Sequence, residues 1–351
     1  MILKLTLYLQ ARKNLLTSKA FEKPEKIQVL LLSPLPGYCR NEASKNRLWI
    51  YEGDNTLSPL VKQARAGDLL PNIIRKNEEV EVRDAHTGKL ICAVYRNRVG
   101  KEALEFMHQS VITMFQDRTK VKRGETEKLK QGNMVAAGYL CTRHCGVFTH
   151  VQNVSKKILN TQELEDREAH IVASVSLLYN YVMHLFPREL VEDVEKLLEE
   201  YDLPRLDGGK YGAKGAAGFD IAYRETTINL PYQLGLCEAY AALNYLKHAH
   251  TDKNFLKYAW VCVCARGVRR EDGSYIEGEF IGDNFFLVEY GVLIELDANT
   301  LWCFPERDEH GTTVVPATGY QTVWSQNLAT KTVTVTARWK NNKESKKQKN
   351  I

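Results

Sequence analysis

The run His250-Thr251-Asp252-Lys253-Asn254 and the later run His310-Gly311-Thr312-Thr313 bound the stretch that decides how this chain folds. Two imidazoles and a carboxylate, the first two side chains on one short extended segment, can occupy one face of a metal octahedron and leave the opposite face open. Non-haem Fe(II) oxygenases use that donor set. A His-x-Asp arises by chance in many chains with 9 histidines, so the residues between the two ends carry the weight. Tyr258 to Ala265 is an apolar β-type run, Arg269 to Ser274 a turn, Phe285 to Leu296 further strand interrupted by Gly291, and Leu301 to Phe304 another strand. Short strands punctuated by turn signals suit a barrel or sandwich. A double-stranded β-helix brings a His-x-Asp near the end of an early strand against a histidine on a late one. The expected fold is α+β, a double-stranded β-helix (jelly-roll) core with supporting helices and an N-terminal mixed α/β region.

The blocks His250 to Asn254, Phe285-Phe286-Leu287-Val288-Glu289-Tyr290-Gly291 and His310-Gly311 together resemble the TET/JBP family of Fe(II)/2-oxoglutarate dioxygenases, which oxidise 5-methylcytosine or thymine in DNA, and within it the fungal, transposon-associated branch. The resemblance covers roughly residues 219 to 340, and Glu289-Tyr290-Gly291 is its most specific part. It implies Fe(II) held by His250, Asp252 and His310, the catalytic residues, with 2-oxoglutarate as cosubstrate. Family members place an arginine at the start of the last core strand for the distal carboxylate of that cosubstrate. Here the candidates are Lys331 and Arg338; alternation puts Lys331 on the face of Val333 and Val335, the expected inward face, and Arg338 on the other. Ascorbate in place of 2-oxoglutarate stays open, because the family has a branch of that kind.

A base in duplex DNA must leave the stack before a buried iron can reach its methyl group. Asn254 resembles the family's base-reading asparagine, and its amide both donates and accepts. Phe255, Tyr258 and Trp260 are candidate stacking side chains, although an aromatic in a strand more often packs in the core. Asn229 completes the substrate-binding set with Asn254 and Phe255. Glu289 and Tyr290 are expected to be structural, or to support the ligands from behind, rather than catalytic. The implied activity is oxidation of 5-methylcytosine in methylated DNA to 5-hydroxymethylcytosine and beyond, in the nucleus. An oxygenase of the same fold acting on RNA or protein, and an inactive nucleic-acid-binding barrel, are the alternatives.

The 351 residues, 44% of them apolar, suffice for one large domain or two ordinary ones. A net charge of +5 permits an anionic partner without demanding one. The 8 cysteines show no regular framework, which points to a reduced, intracellular protein. No run approaches a membrane span, and Met1 to Leu9 alternates like a strand rather than a signal peptide.

Residues 1–160 are expected to form the mixed N-terminal region, with a hairpin from Val80-Glu81-Val82 to Leu90–Tyr95 and a helix over 101–116. Asp117 to Lys130 is a solvated charged face or a phosphate-contacting patch. The spacing of Cys141, Cys145, His144 and His150 fits zinc poorly. The dioxygenase domain would span 161–340. It would open with helical support over 161–205, from one helix over 162–186 and a second over Arg188–Tyr201 with Pro187 at its start, and continue as the double-stranded β-helix over 219–340. The glycine-rich run Leu206 to Gly218 reads as a linker or as a mobile, phosphate-gripping loop. Leu236 to Leu246 has a helical pattern. Residues 341–351 form a basic tail expected to be disordered.

Overall fold

The computed structural model describes residues 27–117, 133–141, 148–150, 161–201, 203, 219–223, 226–230, 235–271 and 274–334. In chain order the first half gives β1 (Gln28–Leu32), α1 (Glu42–Lys45), β2 (Trp49–Tyr51), β3 (Gln63–Arg65), α2 (Ala66–Leu69), β4 (Asn72–Ile74), β5 (Val80–Asp84), β6 (Leu90–Arg96), α3 (Lys101–Asp117), β7 (Asn133–Cys141) and β8 (Phe148–His150). The helices α4 (Thr161–Leu185) and α5 (Arg188–Tyr201) follow, then β9 (Phe219–Tyr223), β10 (Thr226–Leu230), β11 (Glu238–Leu243), β12 (Tyr258–Arg269), β13 (Tyr275–Glu277), β14 (Phe285–Leu287), β15 (Val292–Ile294), β16 (Thr300–Pro305), β17 (His310–Thr312) and β18 (Gly319–Gln326).

Two sheets carry the site. The larger runs β1-β5-β6-β16-β12-β18-β11-β7-β8 with β13 beside β12, and the smaller runs β17-β14-β15-β4. His250 bridges His310, so the segment around His250 extends the smaller sheet past β17. Apart from β13, which only extends β12 as a hairpin, the chain from β11 onward visits the sheets in the order large (β11), small (His250), large (β12), small (β14), small (β15), large (β16), small (β17), large (β18).

The central strand β12 reads as almost continuously apolar because both of its faces are covered. Tyr258, Trp260, Cys262 and Cys264 face α3, α4 and α5 in one core, while Ala259, Val261 and Val263 face the smaller sheet in a second. A bulge between Val263 and Ala265 then shifts the register, so that Arg266 stands opposite Gln321. The helices bury regular stripes against the outer face of the larger sheet; in α3 the stripe is Ala103, Phe106, Met107, Val111 and Met114. The Trp324 indole donates to the carbonyl of Met107 at 3.0 Å, tying β18 to α3.

Residues ahead of the His-x-Asp do not stand apart. β5, β6 and β7 are strands of the larger sheet, β4 pairs with β15, and Ala43, Ile50, Ala66 and Leu70 cover the outer face of the smaller sheet against Phe286 and Leu293. The division expected near residue 160 therefore falls within a shared sheet. The Glu-Tyr-Gly block forms the turn from β14 to β15, where Gly291 has φ 57° and its missing Cβ leaves room for Leu35 and Pro71. The Tyr290 hydroxyl donates to Asp84 at 3.0 Å, and the Glu289 carbonyl accepts from the Leu35 amide at 2.8 Å. These are structural duties.

Two expectations are corrected. Leu236 to Leu246 is not helical; it contains β11, held between β18 and β7. The last strand of the larger sheet is β18, and residues 330–334 are helical rather than extended. Glu238, buried in β11, accepts from the Ala329 amide at 3.1 Å and the Thr332 hydroxyl at 3.0 Å, and this fixes that turn. Among the described residues no helix is long and apolar enough to cross a membrane, and Cys39, Cys92, Cys237, Cys262, Cys264 and Cys303 are free thiols. The strand-like run Met1 to Leu9, the charged run after Asp117, residues 142–147, the glycine-rich stretch and the basic tail lie outside the described residues.

Candidate metal centre

His250 and His310 exchange both backbone hydrogen bonds, at 2.8 and 2.9 Å, as an antiparallel bridge. Directly opposed residues point their side chains to the same face, and so does a residue two further along an extended strand. Local geometry thus aims His250, Asp252 and His310 at one point. Their potential ligand atoms lie within 4.8 Å of one another, with His250 Nε2 3.8 Å from Asp252 Oδ1 and His310 Nε2 3.6 Å from Asp252 Oδ2.

The opposite ring nitrogens are committed elsewhere. Nδ1 of His250 lies 2.9 Å from the His248 carbonyl, and Nδ1 of His310 lies 2.8 Å from the Asp308 carbonyl. A carbonyl can only accept, so each Nδ1 carries a proton, which leaves Nε2 as the nitrogen that would ligate a metal. Burial, and then the charge of His310, push His250 down to about 3 although Asp252 opposes them, so the ring is neutral near pH 7. Burial and then the Asp252 charge push Glu306 up to about 9, which leaves the negative charge here to Asp252. Two imidazole nitrogens and one carboxylate are a fitting donor set for Fe(II). Among the described residues no other group of three or more such side chains comes together.

The ring of His310 is wedged against Phe304 (centroids 4.6 Å apart) and Phe285 (5.8 Å), which themselves pack at 4.5 Å. Its neighbour must be glycine: a Cβ on Gly311 would lie 2.6 Å from the Phe286 ring and 2.8 Å from the Lys247 carbonyl.

The triad opens into a cavity of about 160 Å³ between the two sheets. Its wall is aromatic and aliphatic (Tyr240, Tyr245, Trp302, Phe304, Val261), interrupted by amides at Asn254, Gln321 and Asn327. Asn254 is thus brought to the cavity beside the triad. Phe255 does not: the next residue of an extended chain faces the other way, and its ring packs edge-on against Tyr201 of α5 at 4.9 Å. Tyr258 and Trp260 are also core residues, their polar atoms donating to the Leu90 carbonyl (3.0 Å) and to Gln326 Oε1 (2.8 Å). Asn229 lies on β10, paired with Asp220 of β9. Lys331 is exposed on the helical turn after β18, and Arg338 lies outside the described residues. The inward positions of β18 are Gln321, Val323 and Ser325, which the sequence reading missed; alternation in 319–326 was the signal for them.

No family profile matches the chain, and no curated protein matches it. Among solved structures it is similar to NgTET1 in complex with 5mC DNA, at 15% identity over 75% of this chain and 84% of that one, with a TM-score of 0.40. A rice dioxygenase for auxin oxidation is matched at 9% identity over 87% and 83% of the two chains, with a TM-score of 0.33. An oxidoreductase of the 2OG-Fe(II) oxygenase family from Burkholderia pseudomallei is matched at 10% identity over 64% and 93%, with a TM-score of 0.26.

Proposed function

We propose that this protein is an Fe(II)- and 2-oxoglutarate-dependent dioxygenase built on a double-stranded β-helix, and that it oxidises the methyl group of 5-methylcytosine in DNA. The observation that carries the reading is the triad itself, with both histidine Nε2 atoms turned to the Asp252 carboxylate at a cavity between two sheets. The alternation of strands between four positions in each sheet supports the fold assignment. Bound iron with 2-oxoglutarate and oxygen supplies oxidation of a C–H bond, with release of succinate and carbon dioxide.

The chain's own residues do the rest. His248 and Asp308, through their carbonyls, hold the two imidazoles in the ligating tautomer. Phe285, Phe304 and Trp302 keep water from the reacting face. A flat heterocycle swung out of a duplex needs an apolar surface for its ring and polar groups for its edge. Asn254 and Asn327 supply the latter, and Asn327 Oδ1 is buried without a hydrogen-bond partner, an acceptor open to a substrate amino group. The resemblance of the motif blocks to the TET/JBP family supplies the choice of 5-methylcytosine, and a DNA substrate would place the protein in the nucleus.

The test is nucleoside mass spectrometry after the Fe(II)-loaded protein meets oxygen, 2-oxoglutarate and a 5-methylcytosine duplex, beside a His250→Ala/Asp252→Ala control. Oxidised cytosine absent from the control is expected. Iron binding with no oxidised nucleoside would overturn the substrate, and no iron binding would overturn the oxygenase reading.

A further inference from the structure

Behind Gln321, which lines the cavity, lies a buried charge with no ion-pair contact. Arg266 is 3% exposed and would face the helices if β12 ran without a break, but the bulge after Val263 turns it between the sheets. Its guanidinium lies 3.9 Å over the Phe280 ring. Among the described residues its hydrogen bonds all go to uncharged oxygens: the Gly282 carbonyl at 2.6 Å, the Asp283 carbonyl at 3.2 Å, Phe280 O and Asn284 Oδ1 at 3.5 Å, and Gln321 Oε1. Its Nε has no partner.

The nearby carboxylates do not neutralise it by contact. Both side-chain oxygens of Asp283 are buried and unpartnered, and burial, against the pull of Arg266, pushes its pKa up to about 8. Glu52 is engaged by Asn284 Nδ2 at 2.9 Å and by the Thr313 hydroxyl at 2.5 Å. A guanidinium stays protonated, and a buried cation without an ion pair is costly unless an anion completes the site.

Gln321 connects this cation to the cavity. Its Oε1 accepts from Arg266, so its Nε2, whose contact with the Asp283 carbonyl is long at 3.4 Å, is the end free to donate. Arg266 fixes which end of the amide is presented and places a positive charge behind it. We propose that Gln321, oriented and charged by Arg266, is the seat for the remote carboxylate of the cosubstrate. The inward positions of β18 hold Gln321, Val323 and Ser325 and no cation; the charge comes instead from the neighbouring strand through an amide. Gln321 is the binding residue and Arg266 a positioning residue. The inference rests on the reading of the site as a 2-oxoglutarate-dependent centre.

The test is calorimetric binding to the full chain loaded with Mn(II), comparing 2-oxoglutarate with 2-oxobutyrate, which chelates a metal identically but lacks the remote carboxylate. Wild type is expected to prefer 2-oxoglutarate by about tenfold to a hundredfold, the range of a charge-assisted hydrogen bond. Gln321→Glu, which gives Arg266 an ion-pair partner and so tolerates burial, should abolish that preference and leave 2-oxobutyrate binding within about twofold. Arg266→Met should do the same where it folds. Equal affinity of wild type for both acids, or a Gln321→Glu protein that keeps its preference, would overturn the seat while leaving the metal centre standing. Mn(II) binding with no affinity for either acid would overturn the 2-oxoglutarate reading itself, and the seat with it.

Discussion

The Tyr38 hydroxyl donates to Glu309 Oε2 at 2.9 Å, joining a residue near the start of the described chain to the one just before His310 of the triad. The other oxygen of Glu309 accepts from the Ser44 amide at 2.7 Å. Glu309 is 1% exposed, so this carboxylate is satisfied by the N-terminal segment. The Val288 amide meanwhile donates to the Glu309 carbonyl at 2.8 Å. The loop that sets the orientation of His310 is thereby braced by residues that the sequence assigned to a separate region.

Removing the brace should weaken the metal centre without touching a ligand. Tyr38→Phe is expected to cost about 1 kcal/mol in denaturant unfolding. Glu309→Ala should cost about 2–3 kcal/mol, because it also leaves the half-buried Ser44 amide without an acceptor. It should lower Mn(II) affinity by about tenfold or more. Unchanged calorimetric affinity in a folded Glu309→Ala protein would show that the brace serves stability alone.

The triad should bind metal as a unit. Mn(II) at about 100 times its dissociation constant is expected to stabilise the wild type by about 2.7 kcal/mol, and a chelator should reverse it. His250→Ala, Asp252→Ala and His310→Ala should each abolish that shift while keeping wild-type circular dichroism. A ligand variant that still shows the full shift would place the metal elsewhere.

Gly311 is required by space. Gly311→Ala should destabilise the protein by about 1–3 kcal/mol, since the new methyl meets the Phe286 ring and two backbone carbonyls. Gly67→Ala is the control, because a methyl added there would have nothing within 4 Å. Equal melting temperatures for the two variants would contradict the crowding around His310.

Acid should act partly through Asp84. The Thr87 hydroxyl and amide, with the Tyr290 hydroxyl and the His86 amide, hold its pKa at about 2, below the ordinary 3.8. A depressed carboxylate contributes stability above its unfolded pKa and loses it as the pH falls through the folded one. Wild type should therefore be more stable than Asp84→Asn at pH 5, with the gap closing between about pH 4 and pH 2. Denaturant titrations across that window check this, and a gap that does not change with pH would refute it.

Much of this molecule was legible in its residues. The stripes of α3, α4 and α5 repeat every three or four positions, and the hairpin of β5 and β6 flanks an Asp-Ala-His-Thr-Gly turn. His250 and Asp252 are close in sequence, so their convergence needs only an extended backbone; their meeting with His310 needed the resemblance to supply the pairing. What misled were segments whose local preference the tertiary structure overrode. β11 is rich in alanine, leucine and glutamate, good helix formers, yet it is a strand because β18 and β7 offer it two ladders of hydrogen bonds. Residues 331–335 alternate like a strand in sequence, yet residues 330–334 form a helical turn pinned by Glu238, far away in sequence.

The sequence by itself determined most of the elements and the pairing of His250 with Asp252, because these depend on neighbours within a few positions of the chain. The tertiary structure decided which strands share a sheet, which face of β12 carries Arg266 after the bulge, and that Gln321, not Lys331, lines the cavity. Those outcomes rest on pairings between residues tens to hundreds of positions apart, whose register leaves no periodic trace in either partner alone.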